Sequence, residues 1–177
     1  MKTFIRIYIF IVFLLFACIT REELTAQTNS REDIVTAPNA IYAEIFGRGI
    51  FLSAAYERLL FETTPHNIGL SAGLGFWAEI DIGGTGQNEG GVTIPIYANY
   101  LYGGNDKLEL GIGITFAPNI STYQFYDEFT SEWMVTTFIG YRYQPTDGGF
   151  LFRVGYAPIF GHEKIILYGG IGLGYAF

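Results

Sequence analysis

The sequence predicts an all-β fold, an eight-stranded antiparallel up-and-down transmembrane β-barrel, on three observations. The first is the closing segment, where Ile165, Leu167, Gly169, Ile171, Leu173, Tyr175 and Phe177 share one face and Ile166, Tyr168, Gly170, Gly172, Gly174 and Ala176 the other. A period of two with one greasy face and one nearly bare face suits a strand held between lipid and a crowded interior. The second is that comparable segments recur along the chain with turn sequences between them, in a number that fits eight crossings of roughly 10 residues each. The third is polarity. A soluble eight-stranded barrel would stud its outer face with Lys, Glu, Thr and Ser, whereas here the face opposite the greasy one is mainly Gly, Ala and isolated charges. The lysines beyond residue 26, Lys107 and Lys164, both fall in expected connections.

Taken in chain order, Lys2 and Arg6 precede the apolar run Ile7–Ile19, an export signal too short to span a bilayer as a helix. Cleavage is expected after Leu24-Thr25-Ala26, which makes residues 1–26 a signal peptide. Leu15-Phe16-Ala17-Cys18 also resembles a lipoprotein box and supplies the alternative, a lipidated Cys18. Cys18 is the sole cysteine, so no intrachain disulfide can form. Residues 27–39 are polar and read as a periplasmic lead-in to a barrel over residues 40–177.

Within the barrel, strands are expected at about 40–46, 50–60, 68–81, 92–102, 108–117, 133–144, 150–158 and 165–177. Gly103-Gly104-Asn105-Asp106 and Pro145-Thr146-Asp147-Gly148-Gly149 are tight turn sequences, while 82–91 and 118–132 are longer. Short turns face the periplasm and long loops the outside in barrels of this kind. Counting back from a periplasmic C-terminus, 61–67, 103–107 and 145–149 are internal and 82–91, 118–132 and 161–164 external. An even count then requires an upward first strand ending in an external turn at Gly47-Arg48-Gly49; one long strand kinked at these glycines is the alternative. Pro95 inside a strand predicts a bulge.

Aromatic pairs sit on the greasy face next to the expected periplasmic ends: Tyr100 and Tyr102, Tyr141 and Tyr143, Phe150 and Phe152, Tyr175 and Phe177. Such clustering at one end describes an interfacial girdle. The terminal Phe177, with Tyr175, Leu173 and Ile171 at alternate positions before it, resembles the C-terminal assembly signal of bacterial outer-membrane barrels. Further matching segments are Tyr42-Ala43-Glu44 with Gly47 and Gly49, Ser53-Ala54-Ala55-Tyr56-Glu57-Arg58, Arg153-Val154-Gly155-Tyr156-Ala157-Pro158, and Gly170 to Phe177. Together these look like a group of uncharacterised small outer-membrane barrel proteins. The architecture resembles the eight-stranded barrel of outer-membrane protein A and its small relatives. The resemblance implies a fold and an address in the outer membrane, with lipid and the barrel assembly machinery as partners. It carries no catalytic residue.

Alternation places Glu44, Glu57, Glu79 and Glu109 in the lumen against Arg142 and Arg153. Buried charges must be paired, and an eight-stranded interior is just wide enough for side chains, so a static plug is expected over an ion or small-solute pore. Glu79 and Asp81 near the outer rim are the residue types for a divalent cation, although solvated carboxylates are the expectation and no metal or cofactor is assigned. The 83–91 glycine-rich loop fails the dinucleotide fingerprint, with Glu89 where a third glycine should stand.

His162 and Glu163, with Ser121 or Ser131 and Asp127, supply the types of a hydrolytic triad, the basis of a lipid-acting hydrolase as the enzyme alternative. Nothing fixes their geometry, and no enzyme is expected. The 118–132 loop carries Tyr123, Phe125, Tyr126 and Phe129, either a packed lid or a surface that engages a partner. The chain's charge of −7 becomes −8 when Lys2, Arg6, Arg21, Glu22 and Glu23 leave with the signal, which argues against nucleic acid. A monomer is expected.

Overall fold

Ten short runs of alternating residues pair into one closed wall in the computed structural model, which describes residues 35–79, 89–118, 133–160 and 165–177. The strands are β1 Asn39–Phe46, β2 Leu52–Thr63, β3 His66–Glu79, β4 Glu89–Gly103, β5 Asp106–Phe116, β6 Trp133–Tyr143, β7 Gly149–Tyr156, β8 Ile159–Phe160, β9 Ile165–Ile166 and β10 Gly169–Ala176. Neighbours in sequence pair antiparallel from β1 to β6. The circle closes through β6 on β7, β7 on β10 and β10 on β1. β8 continues β7 in one register against β6, since Arg142↔Arg153 and Thr136↔Ile159 lie on the same ladder. β9 likewise continues β10. The result is a closed eight-strand antiparallel barrel, and closure leaves no free sheet edge around the circumference.

The breaks have local causes. Pro158 has no N–H to donate, and the backbone there is held by Ala157 N–H to Tyr168 O at 2.7 Å and Thr137 N–H to Pro158 O at 3.2 Å. The bulge expected at Pro95 is absent: β3–β4 pairing passes from Ala72↔Ile96 to Gly75↔Thr93 without a change of register. The proline needs no inserted residue because the ladder simply skips Gly73 and Leu74. The bulge lies instead between Leu59 and Phe61 on β2, opposite Gly69 and Ile68.

The first hairpin exists, with Ile45↔Leu52 as its last pair, so the kinked single strand is excluded. Its turn, however, does not point outward. Gly47–Gly49 forms a single 3-10 turn folded into the barrel, with Gly47, Arg48 and Gly49 all buried. Three left-handed residues make that reversal: Phe46 at φ 59°, Gly47 at 77° and Ile50 at 76°. Two of these carry side chains and are strained by about 1–3 kcal/mol each, a cost the surrounding contacts must offset.

Alternation sorts the wall as expected. Large apolar side chains on every long strand are exposed, including Ile41, Leu52, Leu74, Ile96, Ile112, Ile139, Phe150 and Leu173. Inside, three layers stack. At the end where Val35 and Phe177 lie, here the lower end, Val35 packs with Leu59 and Leu101, and Ala37 with Ala40, Tyr42, Leu151 and Ala176. Residues 35–38 are thus part of the lower seal, anchored by Ala37 N–H to Thr146 O at 3.2 Å and Leu59 N–H to Pro38 O at 2.7 Å. At the upper end, Ile50, Trp77, Ala117, Met134 and Ile159 form an apolar layer with Tyr168 against it. Between them lie the charges.

Glycines let this interior close. A Cβ on Gly155 would stand 2.5 Å from the Phe138 ring, 2.6 Å from Ile139 O and 2.7 Å from Gly140 Cα, two of them backbone atoms that cannot turn away. Gly155→Ala should therefore lose about 1–3 kcal/mol through overpacking. Gly104→Ala, with nothing within 4 Å of its added methyl, should be near neutral. Urea unfolding of the two variants side by side checks this contrast.

Candidate functional site: the charged layer of the lumen

Strand pairing lines up an uneven row of charge. Lys107 on β5 is opposite Arg142 on β6, Arg142 is opposite Arg153 on β7, Arg153 is opposite Gly172, and Gly172 is opposite Glu44 on β1. Three cations stand side by side, an arrangement that repels unless acids reach them from elsewhere. The acids are Glu57 on β2, Glu109 on β5 and Glu44 on β1. Arg142 Nη1 meets Glu57 Oε1 at 2.8 Å and Glu109 Oε1 at 3.7 Å, while Arg153 meets Glu109 Oε1 at 2.9 Å and Glu44 Oε2 at 3.7 Å. Gly172 leaves the space for Arg153, whose Cγ would be 2.7 Å from a Cβ there.

The missing member is Arg48. Read as an external turn residue, it is 2 % exposed and enters the middle of the layer. Its Nε donates to Glu44 Oε2 at 3.4 Å, Nη1 to Asn99 Oδ1 at 2.8 Å and Nη2 to Tyr42 Oη at 2.9 Å, and Nη1 lies 3.9 Å from Glu109 Oε1. Its guanidinium carbon sits 4.7 Å from the Tyr97 ring centre. Two threonines pin the turn's backbone: Thr115 Oγ1 donates to Arg48 O at 2.8 Å and Thr93 Oγ1 to Gly49 O at 3.0 Å. Asn99 is itself aimed by donating through Nδ2 to Glu57 Oε2 at 2.6 Å and to Ser71 Oγ at 3.3 Å.

The core of the layer is thus three glutamates, Glu44, Glu57 and Glu109, against three arginines, Arg48, Arg142 and Arg153, and it is neutral. Phe138 sits among them, 4.4 Å from Arg153 and 5.3 Å from Arg48 by ring centre to guanidinium carbon. Of the six lumen residues expected, Glu44, Glu57, Glu109, Arg142 and Arg153 are brought together. The Glu79 side chain lies outside the described residues. Lys107, expected in a connection, is the second residue of β5 and buried, its ammonium donating to Gly104 O. Arg48, Asn99, Tyr42 and Tyr97 were not singled out by sequence. The inward alternation of β1 and β4 could have found Tyr42, Tyr97 and Asn99, whereas nothing in the local pattern marks a turn that folds inward.

The space beside Arg48 is small. A cavity of about 10 Å³ touches Tyr42, Glu44, Arg48, Ser71 and Tyr97, room for one water at most. Among the described residues no group of three or more His, Cys, Asp or Glu is placed to hold a metal ion. The residue types of the hydrolytic alternative, Ser121, Asp127, Ser131, His162 and Glu163, lie outside the described residues. So do Asp81 and the aromatic loop residues Tyr123, Phe125, Tyr126 and Phe129. The outer face of β10 carries Ile171, Leu173, Tyr175 and then Phe177, each a little over half exposed. His66 joins the lower aromatic ring, its Nδ1 2.6 Å from Tyr100 Oη.

No protein-family model matches the chain, and no curated protein matches it. Among solved structures, the N-terminal β-barrel domain of Pseudomonas aeruginosa OprF is similar, at 16 % identity and a TM-score of 0.47, over 78 % of this chain and 95 % of that one. The barrel assigned here stands on the chain's own strand pairing.

Breaking the layer should cost far more than breaking a surface pair. Arg153→Ala removes the 2.9 Å partner of the fully buried Glu109 and should lose about 3–5 kcal/mol. Arg58→Ala, whose exposed guanidinium reaches Asn39 Oδ1 at 3.5 Å, should lose under about 1 kcal/mol. Equilibrium unfolding of both in the same detergent measures the difference.

Proposed function

We propose that this chain is an integral outer-membrane barrel with a side-chain-filled lumen and a structural or surface-interaction role. One observation carries the reading: polarity is inverted relative to a soluble protein. Glu44, Glu57, Glu109, Arg48, Arg142 and Arg153 are at most 2 % exposed, while Ile, Leu, Val and Phe face outward around the whole circumference. Such an outside is costly in water and stable in hydrocarbon, and a closed barrel satisfies its backbone within the wall. The lower aromatic ring supports the placement: Tyr141, Phe150, Tyr175 and Phe177 are exposed at the end where the short turns lie. No helix among the described residues is long and apolar enough to cross a membrane, so any crossing is by strands.

The filled lumen favours a plug over an open pore, because two apolar layers close the charged one from above and below. The proposed partners are outer-membrane lipid and the assembly machinery that reads Ile171, Leu173, Tyr175 and Phe177. Export would follow removal of residues 1–26. A surface partner would meet the external loops.

The native protein should fractionate with the outer membrane, run anomalously on gels until boiled, and show negligible steady conductance in planar bilayers. Deleting Phe177 should reduce the assembled fraction. Recovery of the native chain as a soluble periplasmic protein would contradict the membrane reading, and a steady ion-selective current would contradict the plug.

A further inference from the structure

The Arg48 turn is unusual in what it fills. One short segment supplies the central cation of the polar layer, Arg48, and a member of the upper apolar layer, Ile50. It does so in a backbone form that neither Phe46 nor Ile50 favours. A regular alternative is open to the same residues. The hairpin register ends at Ile45↔Leu52 and the Phe46 N–H already donates to Phe51 O at 2.7 Å, so one more pair, Gly47 with Ile50, would leave Arg48 and Gly49 as an ordinary two-residue turn. That form would carry Arg48 upward, out of the lumen.

The position it would leave is a built site. Asn99 Oδ1, Tyr42 Oη and the Glu44 carboxylate converge on the guanidinium, with the Tyr97 ring beside it and Glu109 at 3.9 Å. Tyr42, Glu44, Tyr97, Asn99 and Glu109 are each at least 96 % buried. Asn99 is fixed from the wall, by Glu57 and Ser71, while Tyr97 bonds Thr115 at 3.0 Å, a residue that also holds the turn, and Glu44 Oε1 accepts from the Arg48 N–H at 3.3 Å. Without Arg48, three glutamates at this level face Arg142 and Arg153, one negative charge unmet. Lys107, on the same row as Arg142 but held to Gly104 O, belongs to the lower mouth.

We propose that the barrel wall carries a binding site for a planar organic monocation of the guanidinium class, and that Arg48 is its tethered occupant. The proposal rests on the membrane-barrel reading. A free cation must compete with a side chain presented at high effective concentration, so the native protein holds its own occupant and a variant without it accepts the free ion. Fork-shaped donors and a flat face against Tyr97 select guanidinium over a spherical ammonium.

The test uses the full-length protein, first shown to be membrane-inserted by fractionation, so that failure of the barrel reading is seen separately. Arg48→Ala is unfolded with urea in detergent, with and without millimolar methylguanidinium or tetramethylammonium. Arg48→Ala should unfold at lower urea than the parent, and methylguanidinium should restore more than half of the lost midpoint in a saturable way. Tetramethylammonium should not, and the parent should not respond to either. Arg48→Gln, neutral and closer in size, serves if the alanine variant fails to assemble, and should show the same rescue. Equal responses to both cations, an equal response in the parent, or no response in an assembled variant would overturn the proposal.

Discussion

The mutual neutralisation of three carboxylates and three guanidiniums in a space closed to water is the constraint on which the rest of this barrel depends. A lone buried ion costs several kcal/mol after relaxation, and attraction offsets this only where partners are close. Here no arginine can leave without stranding an acid: Glu57 depends on Arg142, Glu109 on all three arginines, and Glu44 on Arg48 and Arg153. The wall contributes the three like charges Lys107, Arg142 and Arg153 to one row, so the network must be spanned across the lumen. That in turn demands a narrow barrel.

Narrowness explains features that look unrelated in the chain. Gly155 and Gly172 sit where Phe138 and Arg153 lie against the wall. The inward turn at residues 47–49 brings in the third arginine and, through Ile50, part of the upper apolar layer. Residues 35–38 close the opposite end against Leu59, Leu101 and the turn at Thr146. The strain at Phe46 and Ile50 is tolerated because the bonds to the Arg48 side chain, and from Thr115 to Arg48 O and Thr93 to Gly49 O, hold the turn in place.

Much of this was legible in the sequence because a strand's period is fixed. Alternation alone placed Glu44, Glu57, Glu109, Arg142 and Arg153 inside and Ile171, Leu173 and Tyr175 outside, and turn chemistry separated the strands. What alternation cannot read is a segment that leaves the sheet. Gly47-Arg48-Gly49 carries the composition of an exposed turn, and its inward fold is held by Thr93 and Asn99 on β4 and by Glu109 and Thr115 on β5, far away in sequence, together with the nearby Glu44. The same holds for the lead-in, where Val35 looks unremarkable until Leu59 and Leu101 are beside it, and Ala37 until Leu151 and Ala176 are. Pro95 misled for a local reason: a missing N–H predicts a bulge only where the ladder must be kept, and here it is interrupted without a shift. The pairing of acids to arginines lay beyond the pattern because most of these pairs join strands that are not neighbours in the wall.

A double-mutant cycle on Glu57 and Arg142, 2.8 Å apart, tests most directly whether these charges are buried as a balanced set. Glu57→Gln, Arg142→Met and the double variant would be unfolded in urea in one detergent. A balanced, desolvated set predicts that each single change strands a charge and is strongly destabilising, while the double change, which keeps neutrality, loses less than either single variant. If the two losses simply add, the carboxylate and the guanidinium are solvated independently, and the neutral, sealed layer described here does not exist.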